Sequence, residues 1–205
     1  HVGMDSGGNP AADNLAIYLN LDEGSGQVVG NSGYDTGEYL LENGSSWSSS
    51  GESIFGSAAT FDGIDDFINF PSNSSIERSG RLKSFSVWFK PSAQTEATRE
   101  VIFEVGHEND GFNLYLEGNV LYYGAYGSWE KQPWETFVSL PILRDQWHHA
   151  VLVLDPPTTQ RIYTDAIRAY FDGVLVAVGL GATFPSVSRP GLGGVNFSTV
   201  FHDGS

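Results

Sequence analysis

Three aspartates that lie close together in the sequence are the residues best suited to bind a metal ion. They fall in the run at residues 61–70, where two short apolar pieces flank Asp62, Asp65 and Asp66. Calcium is a hard cation that takes about six to eight oxygen ligands, which carboxylates on a glycine-containing loop supply. The run therefore predicts a calcium site. A second interpretation stays open, because aspartate also accepts hydrogen bonds from nearby backbone N–H groups and shapes turns.

A second loop, at residues 31–35, offers further oxygen ligands. Asn31 brings an amide oxygen and Asp35 a carboxylate. We predict that both contribute to the calcium site, with Asn31 the weaker ligand because its oxygen carries no charge. The spacing does not match the helix-loop-helix calcium motif.

The segment at residues 121–134 is dense in aromatic rings, with three tyrosines and two tryptophans. Aromatic faces pack against the C–H groups of a pyranose ring while polar neighbours bind its hydroxyls. We predict a glycan site at Tyr126, Trp129 and Trp134, with both tryptophans on a loop. The alternative is that these tryptophans cap the end of the fold, because tryptophan is highly buried on average.

The elements that must position these residues are β-strands. Residues 84–90 alternate with period two, which places Phe85 and Val87 on one face and Ser86 and Trp88 on the other. Hairpins are predicted at residues 112–124 and 167–178. The second turns at Asp172-Gly173, a pair that suits the positive φ angles of a type I′ turn.

Further strands are predicted at residues 15–21, 58–61, 67–70, 101–105 and 150–154. The last of these is apolar on both faces, which indicates a central strand covered from both sides. About ten strands and no convincing helix indicate an all-β, two-sheet antiparallel β-sandwich or jelly roll. Residues 43–53 are rich in serine and glycine and predict a loop around Trp47.

Composition and charge narrow the domain organisation and the partners. The 205 residues suit one domain, at residues 15–205, preceded by a polar arm or linker at residues 1–14. A formal charge of −15 disfavours nucleic acid and anionic membranes as partners. No stretch of about 20 apolar residues is present, so membrane insertion is not expected. Abundant glycine and few basic residues favour a secreted or cell-surface protein, and the absence of cysteine excludes disulfides.

Several short motifs follow one another along the chain in a characteristic order. They are Leu21-Asp22-Glu23-Gly24, Ala59-Thr60-Phe61-Asp62-Gly63, Phe85-Ser86-Val87-Trp88-Phe89, Trp147-His148-His149 and Tyr170-Phe171-Asp172-Gly173. In this order they resemble the concanavalin A-like, laminin G-like jelly-roll family. The similarity covers roughly residues 15–180 and implies a usually secreted, often calcium-bound fold found in lectins, adhesins, carbohydrate-binding modules and some glycosidases.

The resemblance also implies a closing strand beside the first strand, and residues 201–205 do not match its pattern. A boundary that falls short of the strand is one explanation. The other is that another copy of the chain supplies the missing strand, since an open sheet edge is a template for strand addition. This second explanation makes the chain a structural subunit of an extracellular assembly.

Glycosidases that resemble this chain carry two carboxylates on one strand, with an acid between them that orients the pair. The nearest match is Glu104 and Glu108, but Gly106 stands at the middle position. We therefore predict no enzymatic activity, and a glycoside hydrolase with an atypical site remains the second alternative. The sequence favours a non-catalytic extracellular module that binds calcium and a glycan or polysaccharide, or mediates adhesion.

Overall fold

A computed structural model describes most of the chain as β-structure and confirms the all-β sandwich. The described residues are 15–48, 53–54, 56–72, 74–80, 82–93, 99–107, 109–158, 161–184 and 190–193, without the side chain of Trp129. The predicted arm at residues 1–14 lies outside them. Among the described residues, the only helical element is a 3-10 turn at Ser75–Glu77, so none of their helices is long and apolar enough to cross a bilayer.

The larger sheet has eight strands, which are β1 (Val28–Val29), β2 (Tyr39–Glu42), β5 (Phe67–Asn69), β7 (Arg99–His107), β8 (Asp110–Glu117), β9 (Val120–Trp129), β10 (Gln132–Pro141) and β14 (Gly191–Leu192). They lie in the order β1-β2-β5-β14-β7-β8-β9-β10, and all neighbouring strands pair antiparallel.

The smaller sheet has four strands, which are β6 (Lys83–Phe89), β11 (His148–Leu154), β12 (Tyr163–Phe171) and β13 (Val174–Gly181). They lie in the order β13-β12-β11-β6. A separate two-stranded ladder joins β3 (Ser46–Trp47) to β4 (Ala59–Thr60). The ladder lies within and beside the predicted loop, and the indole N–H of Trp47 donates to the carbonyl oxygen of Gly26.

The hydrophobic core lies between the two sheets. Alternate residues of each strand face it, as the period of two requires. The ring of Phe85 on β6 stacks on Phe103 of β7, with centroids 3.7 Å apart, so this contact joins one sheet to the other. The hydroxyl of Tyr123 on β9 crosses to the smaller sheet and donates to the carbonyl oxygen of Tyr170.

The two predicted hairpins are confirmed. Strands β8 and β9 turn at Gly118, which has a φ of 57°. Strands β12 and β13 turn at Asp172 and Gly173, whose φ angles are 47° and 81°, as a type I′ turn demands.

Two strand predictions are corrected. Residues 15–21 form no strand; they make one isolated bridge, from Leu19 to Asn31, and Leu21 has a φ of 58°, which breaks the extended path. Residues 150–154 lie within β11, a central strand as predicted. Their burial alternates, however, so this strand is covered by the core on one face only.

The predicted loop around the tryptophans is a third correction. Strands β9 and β10 form a continuous hairpin in which Gln132 pairs with Trp129, so only Glu130 and Lys131 form the turn. Both have positive φ, 46° and 66°. Trp129 and Trp134 are therefore strand residues.

Candidate functional site

The acidic loop at residues 61–66 connects β4 to β5, and its own hydrogen bonds shape it. The carboxylate of Asp62 accepts the backbone N–H of Ile64, and Oδ2 of Asp66 accepts the backbone N–H of Asp62, each at 2.8 Å. The side-chain amide of Asn43 donates to the carbonyl oxygen of Asp65 at 3.0 Å. Turn formation, the alternative interpretation of these aspartates, is therefore part of what they do.

The same loop also gathers three carboxylates. One oxygen each from Asp62, Asp65 and Asp66 lies within 4.8 Å of the others, and no other such group of three occurs among the residues that the structure describes. Asp62 and Asp65 are exposed, whereas Asp66 is 9% exposed. The group is thus open to solvent on one side and anchored by a buried carboxylate on the other.

One oxygen of Asp66 stands out within this group. Its Oδ1 atom is buried and has no hydrogen-bond partner among the described residues. A buried carboxylate oxygen left without a partner costs about 1–3 kcal/mol or more. Gly44 lies directly against it, since a Cβ atom at that position would be 3.2 Å from Oδ1. Calcium prefers carboxylate oxygens as ligands, so the three carboxylates of Asp62, Asp65 and Asp66 form a donor set that fits calcium.

Asn31 and Asp35 have a structural role in place of the predicted ligand role. The amide oxygen of Asn31 accepts the backbone N–H groups of Tyr18 and Gly33, at 2.7 and 2.9 Å. Its nitrogen donates to the carbonyl oxygens of Ala16 and Asp35. The amide is thus fully used in holding the segment before β1, and no oxygen remains for a metal.

The carboxylate of Asp35 is held by Ser75, which donates to it from both its backbone N–H and its hydroxyl. Asp35 is not a member of the group formed by Asp62, Asp65 and Asp66. Burial, and secondarily the charge of Asp35, raises the pKa of Tyr39 to about 12. The structure therefore reduces the predicted metal site to three aspartates.

The predicted glycan site is also revised, because two of its three rings are buried. Tyr126 is 1% exposed, and its hydroxyl donates to the carbonyl oxygen of His107. Trp134 is 2% exposed and packs so closely on Gly127 that a Cβ there would lie 2.9 Å from the indole. Neither ring offers a face to a sugar. The third member of the prediction, the side chain of Trp129, lies outside the described residues.

Of the two glutamates considered for hydrolysis, the structure describes only Glu104. Glu104 lies on β7 opposite Asn113 and is 0% exposed, so a polysaccharide in solvent cannot contact its carboxylate. Glu108 lies outside the described residues. Hydrolysis needs two carboxylates on either side of the scissile bond.

An exposed aromatic ring that the glycan prediction did not include lies on the smaller sheet. Trp88 is 53% exposed and stacks on His149, with ring centroids 4.7 Å apart. The alternation of residues 84–90 already placed Trp88 on the face opposite Phe85 and Val87, so the signal was present in the sequence. The density of aromatic residues at 121–134 predicted exposed rings less well, because aromatic side chains are also common in a hydrophobic core.

Comparisons with known proteins agree on the fold. A model of the concanavalin A-like lectin/glucanases superfamily matches residues 61–199. The receptor binding domain of botulinum neurotoxin D is similar in structure, with a TM-score of 0.60 and 12% identity, over 90% of this chain and 45% of that chain. The binding domain of botulinum neurotoxin DC in complex with SialylT has a TM-score of 0.57 and 12% identity, over 91% and 45%.

Domains LG4-5 of the mouse laminin alpha1 chain match with a TM-score of 0.42 and 20% identity, over 63% of this chain and 32% of that chain. The chain spans less than half the length of each of these three structures. No curated protein matches it.

Proposed function

The chain belongs to the concanavalin A-like lectin/glucanase superfamily, and from that premise we propose that it is a non-catalytic, extracellular module that binds calcium and a glycan. The observation that carries the calcium part of the proposal is the group of three carboxylates, in which Asp66 is buried and its Oδ1 has no hydrogen-bond partner among the described residues. Acidic clusters on a surface are common without an ion, but a buried carboxylate with an unpartnered oxygen is costly unless a cation neutralises its charge.

The test for calcium compares the full chain with Asp66→Asn. Calcium titration by calorimetry should show one site in the unchanged protein, and calcium should raise its melting temperature. At a calcium concentration of about 100 times Kd, the stabilisation is about 2.7 kcal/mol. Asp66→Asn should lose most of the binding heat and of the shift. The exposed carboxylate of Asp165 on β12 provides the matched control, and Asp165→Asn should behave like the unchanged protein.

No binding heat and no calcium-dependent shift in the unchanged protein would refute the calcium part of the proposal. Equal calcium affinity in the unchanged protein and in Asp66→Asn would show that the calcium site does not include Asp66. Magnesium is titrated as a comparison. Because it requires a stricter octahedral geometry, an open loop of carboxylates should bind it more weakly than calcium.

The glycan and extracellular parts rest on family membership together with composition and burial. A net charge of −15 favours uncharged glycans over nucleic acid or anionic surfaces. The complete burial of Glu104 supports a module that binds sugars without cleaving them. A broad glycan array, run in calcium and again in chelator, tests this part. Retention on at least one glycan is the expected result, and silence in both arms contradicts it.

A second candidate function, self-assembly, is favoured by one strand edge. Strand β13 pairs with β12 alone among the described strands, so it forms an edge of the smaller sheet. Its sequence carries no charge, and Val174, Leu175 and Val178 are exposed. A long, apolar edge strand is a template for pairing with another chain. Two copies of this highly acidic protein meet with least repulsion at an uncharged edge.

Sedimentation at several concentrations tests self-assembly. Concentration-dependent dimers that Val176→Lys abolishes would support pairing through β13, because a lysine on an edge strand opposes strand addition. A monomer at all concentrations would exclude it.

A further inference from the structure

The outer face of the smaller sheet presents an indole ring to solvent. Strand β6 alternates, so Ser84, Ser86 and Trp88 point away from the core while Phe85 and Val87 point into it. Trp88 is 53% exposed, which is unusual for the residue with the largest apolar surface. Singly exposed aliphatic residues need no explanation, but an exposed indole on the outer face of an edge strand requires one.

The ring of Trp88 is held in place by its neighbours. His149 lies directly opposite it in the register of β6 and β11, and the two rings stack with 20° between their planes. His149 is fixed in turn by two hydrogen bonds. Its Nε2 lies 2.8 Å from the hydroxyl oxygen of Ser86, and its backbone N–H donates to Asp172 at 2.8 Å. An aromatic surface that is already ordered loses less entropy when a ligand binds to it.

Residues with hydrogen-bonding groups flank the indole in the sequence. Ser86 lies on β6 two residues before Trp88, about 6.6 Å away in an extended strand, and Lys90 follows directly after the end of β6. Lys90 also forms an ion pair with Asp145, with Nζ 3.1 Å from Oδ1. Residues with a hydroxyl and an ammonium group thus flank a flat apolar ring in the sequence. This combination matches a pyranose ring, which has C–H groups on its faces and hydroxyls on its rim.

We propose that Trp88, supported by His149, is the stacking surface for a pyranose unit of an uncharged glycan. The inference rests on the proposed glycan binding and names the residue that carries it. It locates the sugar on the smaller sheet, whereas the acidic loop ends at β5 of the larger sheet. The sugar is therefore not a ligand of calcium at this site. Sugar binding to Trp88 persists when calcium is removed. The uncharged class follows from the charge of −15, which repels sulfated and sialylated chains.

The experiment starts from the array, with neutral and sialylated glycans printed side by side. The tightest neutral glycan is then titrated into the unchanged chain, Trp88→Ala, Trp88→Phe and Tyr34→Ala. Trp88→Ala should weaken binding by about tenfold or more, and Trp88→Phe should restore part of it because a ring returns. Tyr34→Ala, which removes another exposed aromatic ring (52% exposed) outside the smaller sheet, should leave Kd unchanged. Melting temperatures of all four proteins show that each is folded.

The outcomes separate this inference from the broader proposal. If the chain binds a neutral glycan and Trp88→Ala binds it equally well, the Trp88 site is refuted while glycan binding stands. If binding occurs only with sialylated glycans, or is lost in chelator, the site described here is also refuted. If no glycan is retained, the proposed glycan binding fails and the Trp88 site fails with it.

Discussion

The Nδ1 atom of His148 lies 2.9 Å from Oδ2 of Asp172 and ties β11 to the turn between β12 and β13. The other ring nitrogen, Nε2, lies 2.8 Å from the carbonyl oxygen of Leu143. Each ring nitrogen of His148 therefore faces one oxygen acceptor. Oδ1 of Asp172 also accepts the backbone N–H of His149. One carboxylate therefore orders the histidine pair and the hairpin turn together.

Asp172→Asn should make the protein less sensitive to acid. Burial alone raises the pKa of Asp172, but hydrogen bonds from His149 and His148 and the charges of both histidines outweigh it and hold the pKa below its usual 3.8. A lowered pKa adds stability that is present above about pH 4 and is lost as the pH falls through the folded-state value. At pH 7 the free energy of unfolding of the variant should be about 1 kcal/mol lower, a modest loss because the carboxylate is partly exposed. The variant should also lose most of the decrease in stability that the unchanged chain shows as the pH falls. Urea unfolding between pH 2.5 and 7 measures both, and an unchanged slope would contradict the assignment.

Lys83→Met should remove a rise in stability on the alkaline side. Lys83 lies under the sheet edge, where Nζ donates to the carbonyl oxygen of Ile76 and sits 5.7 Å from the centre of the Phe184 ring. Burial lowers the pKa of Lys83 to about 8. Between about pH 8 and 10 the folded protein then binds fewer protons than the unfolded chain, so stability increases with pH.

The expected gain across this window is about 1–2 kcal/mol, after allowance for partial exposure. In Lys83→Met the stability should be nearly flat over the same range. Lys90→Met, which alters the exposed lysine directly after β6, should retain the rise. Chemical unfolding at pH 7, 8, 9 and 10 distinguishes these results, and a rise that survives in Lys83→Met would assign it to another group.

Trp134→Ala should destabilise the fold by about 3–5 kcal/mol, since the indole is buried in the core. Its Nε1 has no hydrogen-bond partner among the described residues. Trp134→Phe, which keeps a ring and removes that donor, should therefore cost much less than the alanine change. Thermal unfolding compares the two. A Trp134→Ala protein that melts like the unchanged chain and fails to bind glycan would restore Trp134 to the binding site.

Asn31→Asp should weaken the fold without improving calcium binding. An aspartate at this position keeps the two accepted hydrogen bonds and loses both donated ones, to Ala16 and Asp35. We expect a loss of about 1–3 kcal/mol, since two carbonyl oxygens then face a carboxylate. Calorimetry at fixed temperature should give the same calcium affinity as the unchanged chain. A clear increase in affinity would return Asn31 to the metal site.

The sequence predicts the parts of this fold that are governed by local rules. The Asp172-Gly173 turn and the alternation of Phe85 and Val87 follow from backbone sterics and from the period of a strand. The turn at Glu130 and Lys131 could not be predicted, because neither residue favours positive φ and the pairing of two ten-residue strands imposes it.

The candidate sites divide in the same way. The three aspartates of the acidic loop are near in sequence, so their proximity was predictable. The stacking of Trp88 on His149 joins residues on different strands and depends on register, which only the folded sheet defines. The same holds for the burial of Trp134, because composition cannot distinguish a ring that packs in the core from one that faces solvent.

Strand β14 determines when the larger sheet can be completed. Among the described strands, β5 and β7 each pair with β14 and not with each other. During synthesis the β1-β2-β5 ladder and the β7-β10 ladder emerge first, and the two residues of β14 join them only after residue 192 has left the ribosome. Until then two strand edges stay unpaired and open to other chains. The nascent chain therefore completes its larger sheet late in synthesis. Chaperones that prevent aggregation of unpaired strands are most important during that interval.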